Sequence, residues 1–159
     1  MIHGTYGTSI KAYLTLEEKR IDTAKAVSQI RYLCKFTNDM TKVVKYAYPT
    51  ISATNDRHVR LLTAHNTTDN VLLGRVNFKP FGYWTYEVYE VSWHASAEVT
   101  LETETAPVTE TQVLAAAISN GVVQGKVETG KVYITETAGS EQVRYTEHTE
   151  TTTNYLYTN

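Results

Sequence analysis

Residues 79–96 read KPFGYWTYEVYEVSWHAS, and the order of aromatic residues in this run decides how the chain folds. In a strand, successive side chains alternate between two faces. Trp84, Tyr86 and Val88 then share one face, while Tyr83, Thr85, Glu87, Tyr89 and Val91 share the other. Glu87 and Glu90, three apart, go to opposite faces, so they cannot meet as a reacting pair of carboxylates. The run reads as architecture, with Trp84 and Tyr86 as core anchors directly after the turn at Pro80, Phe81 and Gly82. The second face, with Tyr83 and Tyr89 continuing to Trp93, is more aromatic than a solvated sheet surface requires, which points to a cover or a partner.

Working outward, the rest of the chain has the same bias. Threonine is its most frequent residue, valine is abundant, and 12 tyrosines stand against two methionines. β-branched and aromatic side chains suit a pleated, half-buried surface. Runs of period two fall at residues 8–16, 31–37, 42–48, 58–64, 71–78, 83–92 and 98–103. Between them lie Asn38-Asp39, Pro49, Asn55-Asp56, residues 66–70 and residues 80–82, the residue types that reversals need. Seven short strands in about 100 residues is the spacing of a β-sandwich.

A turn, an aromatic, and a core residue two positions later resembles the entry to the sixth strand of immunoglobulin-like domains, where an aromatic locks the corner. Trp84 takes that corner place, and Tyr86 or Val88 the core place. The fold expected is therefore mainly β: an immunoglobulin-like β-sandwich over residues 1–104, followed over 105–159 by a connector, a β-hairpin and a C-terminal strand-like tail. Residues 112–118 are expected to make one or two helical turns. VETGK places a hairpin turn at Glu128, Thr129, Gly130 and Lys131. With few large aliphatic residues, the C-terminal part is expected to pack on the first domain or on neighbouring subunits.

Composition narrows the function. A net charge of −2 provides no concentrated basic face for wrapping nucleic acid. Basic residues crowd the first third and acidic ones the segment after Ala97, a pattern that ordinary solvated faces explain. Cys34 is the only cysteine, so neither an intrachain disulfide nor a thiolate metal cluster is expected, and its place between Tyr32 and Phe36 on one face reads as core. The first residues lack the basic start and apolar core of a signal peptide, and no run reaches the ~20 apolar residues of a membrane span, so a soluble protein made in the cytoplasm is expected.

The segments YLCKFTNDMTK (32–42), RVNFKPFGYWTYEVYEV (75–91) and VETGKVYI (127–134) together resemble a group of small structural proteins of tailed bacteriophages. In that group an F-T-N-D-like turn, a G-x-Y-x-Y-x-V-Y-E-like strand and a V-E-x-G-K-like hairpin occur in this order. The resemblance spans most of residues 30–136. It implies a virion component, a capsid-associated auxiliary or decoration protein bound to the shell in many copies, with a neck or tail position as the alternative. Its partners would be the major capsid protein, other virion proteins and copies of itself, with no nucleic acid, membrane, cofactor or metal. No catalytic residue carries over.

Two other classes compete. In a binding module on the particle, Tyr83, Tyr89 and Trp93 would stack on host-surface glycans. An enzyme would need a motif, and neither an H-E-x-x-H pair, a G-x-S-x-G elbow, a P-loop nor a dinucleotide fingerprint is present. His58 and His65 read as lone surface or loop histidines, and Asp22, Asp39, Asp56 and Asp69 as turn carboxylates bonded to nearby amides. Glu98, Glu102 and Glu104 share one side of a strand, as a solvated edge does. At the C-terminus, Tyr155, Leu156 and Tyr157 form an apolar cluster after a Thr-rich spacer. Two fates are open to it: docking on a neighbouring subunit or capsid protein, or folding back on its own domain.

Overall fold

The computed structural model describes residues 1–54, 57–94, 99–101 and 105–137. The chain is mainly β. Its strands are β1 (Ile2–Thr5), β2 (Ile10–Leu14), β3 (Ile30–Asn38), β4 (Val44–Ala47), β5 (Thr50–Thr54), β6 (Val59–His65), β7 (Arg75–Val76), β8 (Gly82–Ser92) and β9 (Val122–Thr135). Single 3-10 turns at Glu17–Lys19 and Val27–Gln29 interrupt the loop between β2 and β3. One sheet has the order β1-β9-β8-β3-β4, with β1 parallel to β9 and the other neighbours antiparallel. The other runs β2-β6-β5, with β7 parallel beside β6.

Alternation along β3 and β8 builds the core between the sheets. Tyr32, Cys34 and Phe36 from β3 and Trp84, Tyr86 and Val88 from β8 are buried with Ile10 and Leu14 of β2 and Val59 and Leu61 of β6. Each such side chain stabilises the fold by about 1.5–3 kcal/mol through removal of apolar area from water. Phe78 sits edge-on to both Phe36 and Trp84, at centroid distances of 5.0 and 5.6 Å, the arrangement that ring quadrupoles favour. The Trp84 indole N–H donates to the carbonyl of Pro80 at 3.1 Å, so the corner before β8 is tied to its core by one side chain. Burial pushes the Cys34 thiol up to about 12, as expected of a small core residue.

Several local expectations change. The hairpin expected at residues 128–131 is absent, because β9 runs unbroken and pairs along β8 from Val122 to Ile134. Gly130 is an in-strand glycine opposite Tyr86, where a Cβ would lie 2.6 Å from the tyrosine hydroxyl, so the glycine makes room for a ring and no reversal. β9 is an interior strand of the five-stranded sheet. Residues 112–118 form no helical turn. The run at 71–78 keeps only Arg75–Val76 as strand, since Asn70 and Arg75 bridge across a tight turn. Gly74 in that turn has φ +62°, and a Cβ there would strike the Tyr48 carbonyl at 2.4 Å. β1 and β5 are short edge strands whose sequences lack the alternation that marks the others. The run at 98–103 and the C-terminal tail lie mostly or wholly outside the described residues.

The inner face of β8 ends on a polar residue. Glu90 is fully buried and accepts backbone N–H bonds from Ile21 and Asp22 at 2.9 and 2.7 Å. One carboxylate thus satisfies two amides of the β2–β3 loop that would otherwise be unpaired. Glu87 lies on the opposite face, as alternation requires.

Candidate interaction surface

The outer face of the five-stranded sheet is divided between two environments. Toward the C-terminal end of β8 it is covered by the described parts of the crossover to β9, residues 99–101 and 105–121. Leu33, Val91 and Trp93 pack there with Tyr48, Val99 and Ala106 in a second buried cluster. The crossover is closed by hydrogen bonds from Thr105 N–H to the Ser119 carbonyl, 3.2 Å, and from Gly121 N–H to the Thr105 carbonyl, 2.9 Å. Tyr48 donates its hydroxyl proton to the Pro107 carbonyl at 2.6 Å. Gly121 lies against the Trp93 ring so closely that a Cβ would come within 2.5 Å of it.

A chain of charges marks the border. Lys126 bonds Glu87 at 2.9 Å, Lys35 lies 3.6 Å from Glu87 and 2.5 Å from Glu110, and the Tyr46 hydroxyl donates to Glu110 at 2.6 Å. Hydrogen bonding to Lys126 is the main cause holding Glu87 below its ordinary range. Burial pushes Glu110 upward, but hydrogen bonds from Lys35 and Tyr46 outweigh it and leave the carboxyl below its ordinary 4.5. This network staples the crossover, through Glu110, to β3 and β4.

Beyond the border no described residue covers the face. Tyr83 is 52% exposed, and its ring lies 4.7 Å from that of Tyr133, tilted 46°. Tyr133 is in turn edge-on to His3 at 6.2 Å. The three rings sit on adjacent strands in register: Tyr83 pairs with Tyr133, and Tyr133 with His3. Two residues along the same strands, Lys131 Nζ donates to Asp39 Oδ2 at 2.6 Å and to Thr85 Oγ1 at 2.8 Å, and Thr85 Oγ1 donates to Asp39 Oδ1 at 2.8 Å. Asp39 is thereby held below its ordinary range, chiefly by the Lys131 hydrogen bond.

Of the residues expected to meet a partner, Tyr83 is exposed. Tyr89 is half-buried against the crossover, with its hydroxyl 3.3 Å from Glu87. Trp93 is buried and offers no free surface; the chain's own crossover covers it, and its indole N–H has no hydrogen-bond partner among the described residues. Tyr155, Leu156 and Tyr157 lie outside the described residues, as do Asp56, Glu98, Glu102 and Glu104. Sequence reasoning missed Tyr133 and His3. Tyr133 alternates with Lys131 in VETGKVYI, a signal hidden by the expected hairpin, whereas His3 reaches the face only through parallel pairing of β1.

The crossover itself carries an apolar exposed stretch. Residues 113–118, VLAAAI, hold no charge, with Val113 93% and Ile118 71% exposed and Ala115, Ala116 and Ala117 exposed between them. Neither a protein-family model, a curated protein nor a solved structure matches the chain. Elsewhere, Asp22 behaves as a turn carboxylate, accepting from Ala24 N–H at 3.2 Å. Asp69 instead reaches Asn77 N–H at 2.6 Å and Lys45 at 2.9 Å. His58 and His65 pack edge-on against Tyr13 and Tyr6, far from one another in role. Among the described residues no group of three or more His, Cys, Asp or Glu could hold a metal, and no helix is long and apolar enough to cross a membrane.

Proposed function

We propose that the chain is a non-enzymatic structural protein of a tailed-bacteriophage particle, bound to the shell in many copies through its crossover. The observation that carries a docking role is the uncharged, exposed stretch at 113–118. A run of this kind costs solvation in a free monomer and is what a protein interface buries. The phage setting is supported by the ordered resemblance at residues 32–42, 75–91 and 127–134, although the third segment is a strand where that group has a hairpin.

An immunoglobulin-like sandwich is the finer reading of the fold. It is supported by strand order, since β9-β8-β3-β4 and β2-β6-β5 follow the G-F-C-C′ and B-E-D arrangement of such domains. It is also supported by the Trp84 bond to Pro80, which does the work of the tyrosine corner. Two departures are the parallel β1–β9 pair and a core cysteine without a partner.

Two measurements test the role. Mass-spectrometric copy number on purified particles is expected to reach hundreds per particle, whereas about a dozen would move the protein to the neck or tail and absence would remove it from the virion. Val113→Asp with Ile118→Asp should abolish incorporation while the melting temperature stays put, because exposed substitutions move stability by about 0.5 kcal/mol or less. Undiminished incorporation of that variant would sink the docking role of the crossover.

A further inference from the structure

The half of the sheet's outer face that no described residue covers combines features that play no part in docking through the crossover. Tyr83, Tyr133 and His3 present rings on three neighbouring strands, and Asp39, Lys131 and Thr85 form a fixed hydrogen-bonding group two residues away. Strands lie ~4.8 Å apart and rise ~3.3 Å per residue, so the rings extend ~10 Å across the sheet and the polar group begins ~7 Å along it. Those are the dimensions of one or two sugar rings. A stable protein interface covers about 800 Å² per partner, and this patch spans on the order of 100 Å² before the charged border begins.

We infer that this patch is a binding site for a neutral saccharide, with Tyr83 and Tyr133 stacking on the apolar face of a pyranose and Asp39 and Lys131 hydrogen-bonding its hydroxyls. Pyranose rings expose C–H groups on their faces, which suit tyrosine π-systems, and hydroxyls at their rims, which need both donors and acceptors. Lys131 has donors and Asp39 an ionised carboxylate that only accepts, and both remain partly exposed. The two charges cancel, which favours an uncharged sugar over an acidic or basic ligand. Mutual bonding holds both groups in place before a ligand arrives, so less side-chain entropy is lost on binding. Trp93, buried under the crossover, takes no part, and the site consists of residues from β1, β8, β9 and the β3–β4 turn.

The test is titration of the full chain with hexasaccharides of glucose, mannose, galactose and N-acetylglucosamine, followed by calorimetry. At least one is expected to bind with a dissociation constant of about 1 mM or tighter. Tyr83→Ala should weaken that binding about tenfold or more, and Lys131→Met severalfold. Tyr13→Ala removes a comparably exposed tyrosine, 59% accessible on the other sheet, and should change nothing. Binding to none of the four at about 1 mM or tighter, equal loss in Tyr13→Ala, or a Tyr83→Ala variant that binds like the wild type would each overturn the site. So would a Tyr83→Ala variant whose only change is loss of self-association, since the face would then be a contact between copies. The inference is separable from the particle reading, because Ile118→Asp should bind the saccharide as the wild type does.

Discussion

The two halves of the outer face of β8 are built from one strand and one alternation, yet their aromatics have opposite fates. Trp93 is buried beneath the crossover, while Tyr83, ten residues earlier on the same face, is half in water. Between them Tyr89 is half-covered, at the charged border made by Lys126, Glu87, Lys35 and Glu110. Aromatic content therefore does not identify a binding face by itself. What separates a second core from a free surface is whether a later part of the chain returns across it, and among the described residues 99–101 and 105–121 return across only half.

That contrast can be broken most directly at its two ends. Trp93→Ala should destabilise the protein by about 3–5 kcal/mol, the range for truncating a buried aromatic, and lower the melting temperature by about 6–20 °C. Tyr83→Ala should stay within about 0.5 kcal/mol. Matching melts for the two variants would erase the distinction between the halves. Trp84→Ala, on the inner face, belongs with Trp93 and should leave little folded protein.

A smaller effect sharpens the account of how the covered half is closed. Gly121→Ala puts a methyl group against the Trp93 ring, and neither backbone nor indole can move without disturbing the second cluster. The expected cost is about 1–3 kcal/mol by denaturant unfolding, as for other overpacked sites. A neutral result would mean that the crossover is held elsewhere.

The border gives a pH signature. Glu110 is held below its ordinary value, so its bonds to Lys35 and Tyr46 contribute stability that is fully present above about pH 4.5 and lost as pH falls through the lowered folded value. Glu110→Gln should flatten that part of the stability profile and cost up to about 1 kcal/mol at pH 7, since the pair is partly solvated. An unchanged acid limb in thermal melts from pH 3 to 6 (about one interval on either side of 4.5) would assign the acid sensitivity to other carboxylates.

Much of the fold was legible because alternation is a local property. Spacing alone puts Tyr32, Cys34 and Phe36 on one face of β3 and makes Trp84 and Tyr86 core anchors on a face of β8 shared with Val88, and all six are buried together. Glycine was harder to read. Gly74 does sit in a turn with positive φ, but Gly130 accommodates the Tyr86 ring across the sheet, and a glycine that yields space to a distant residue looks in sequence like one that bends the backbone. The candidate surface was half legible. Tyr83 was recognised from its own strand, while Tyr133 and His3 reach it from strands about 50 and 80 positions away in the chain, pairings that local periodicity cannot encode.

The strand-forming character of the chain, the two faces of β3 and β8, the tight corner at Pro80 and the buried state of Cys34 follow from residue type and spacing within a few positions. Long-range pairing and cover are what make β9 an interior strand, bring two loop amides to donate to Glu90, and bury Trp93 while leaving Tyr83 beside Tyr133 and His3. Those outcomes depend on which segments return to pair or cover, and that choice is made by the free energy of burying surface shared between segments far apart in the chain.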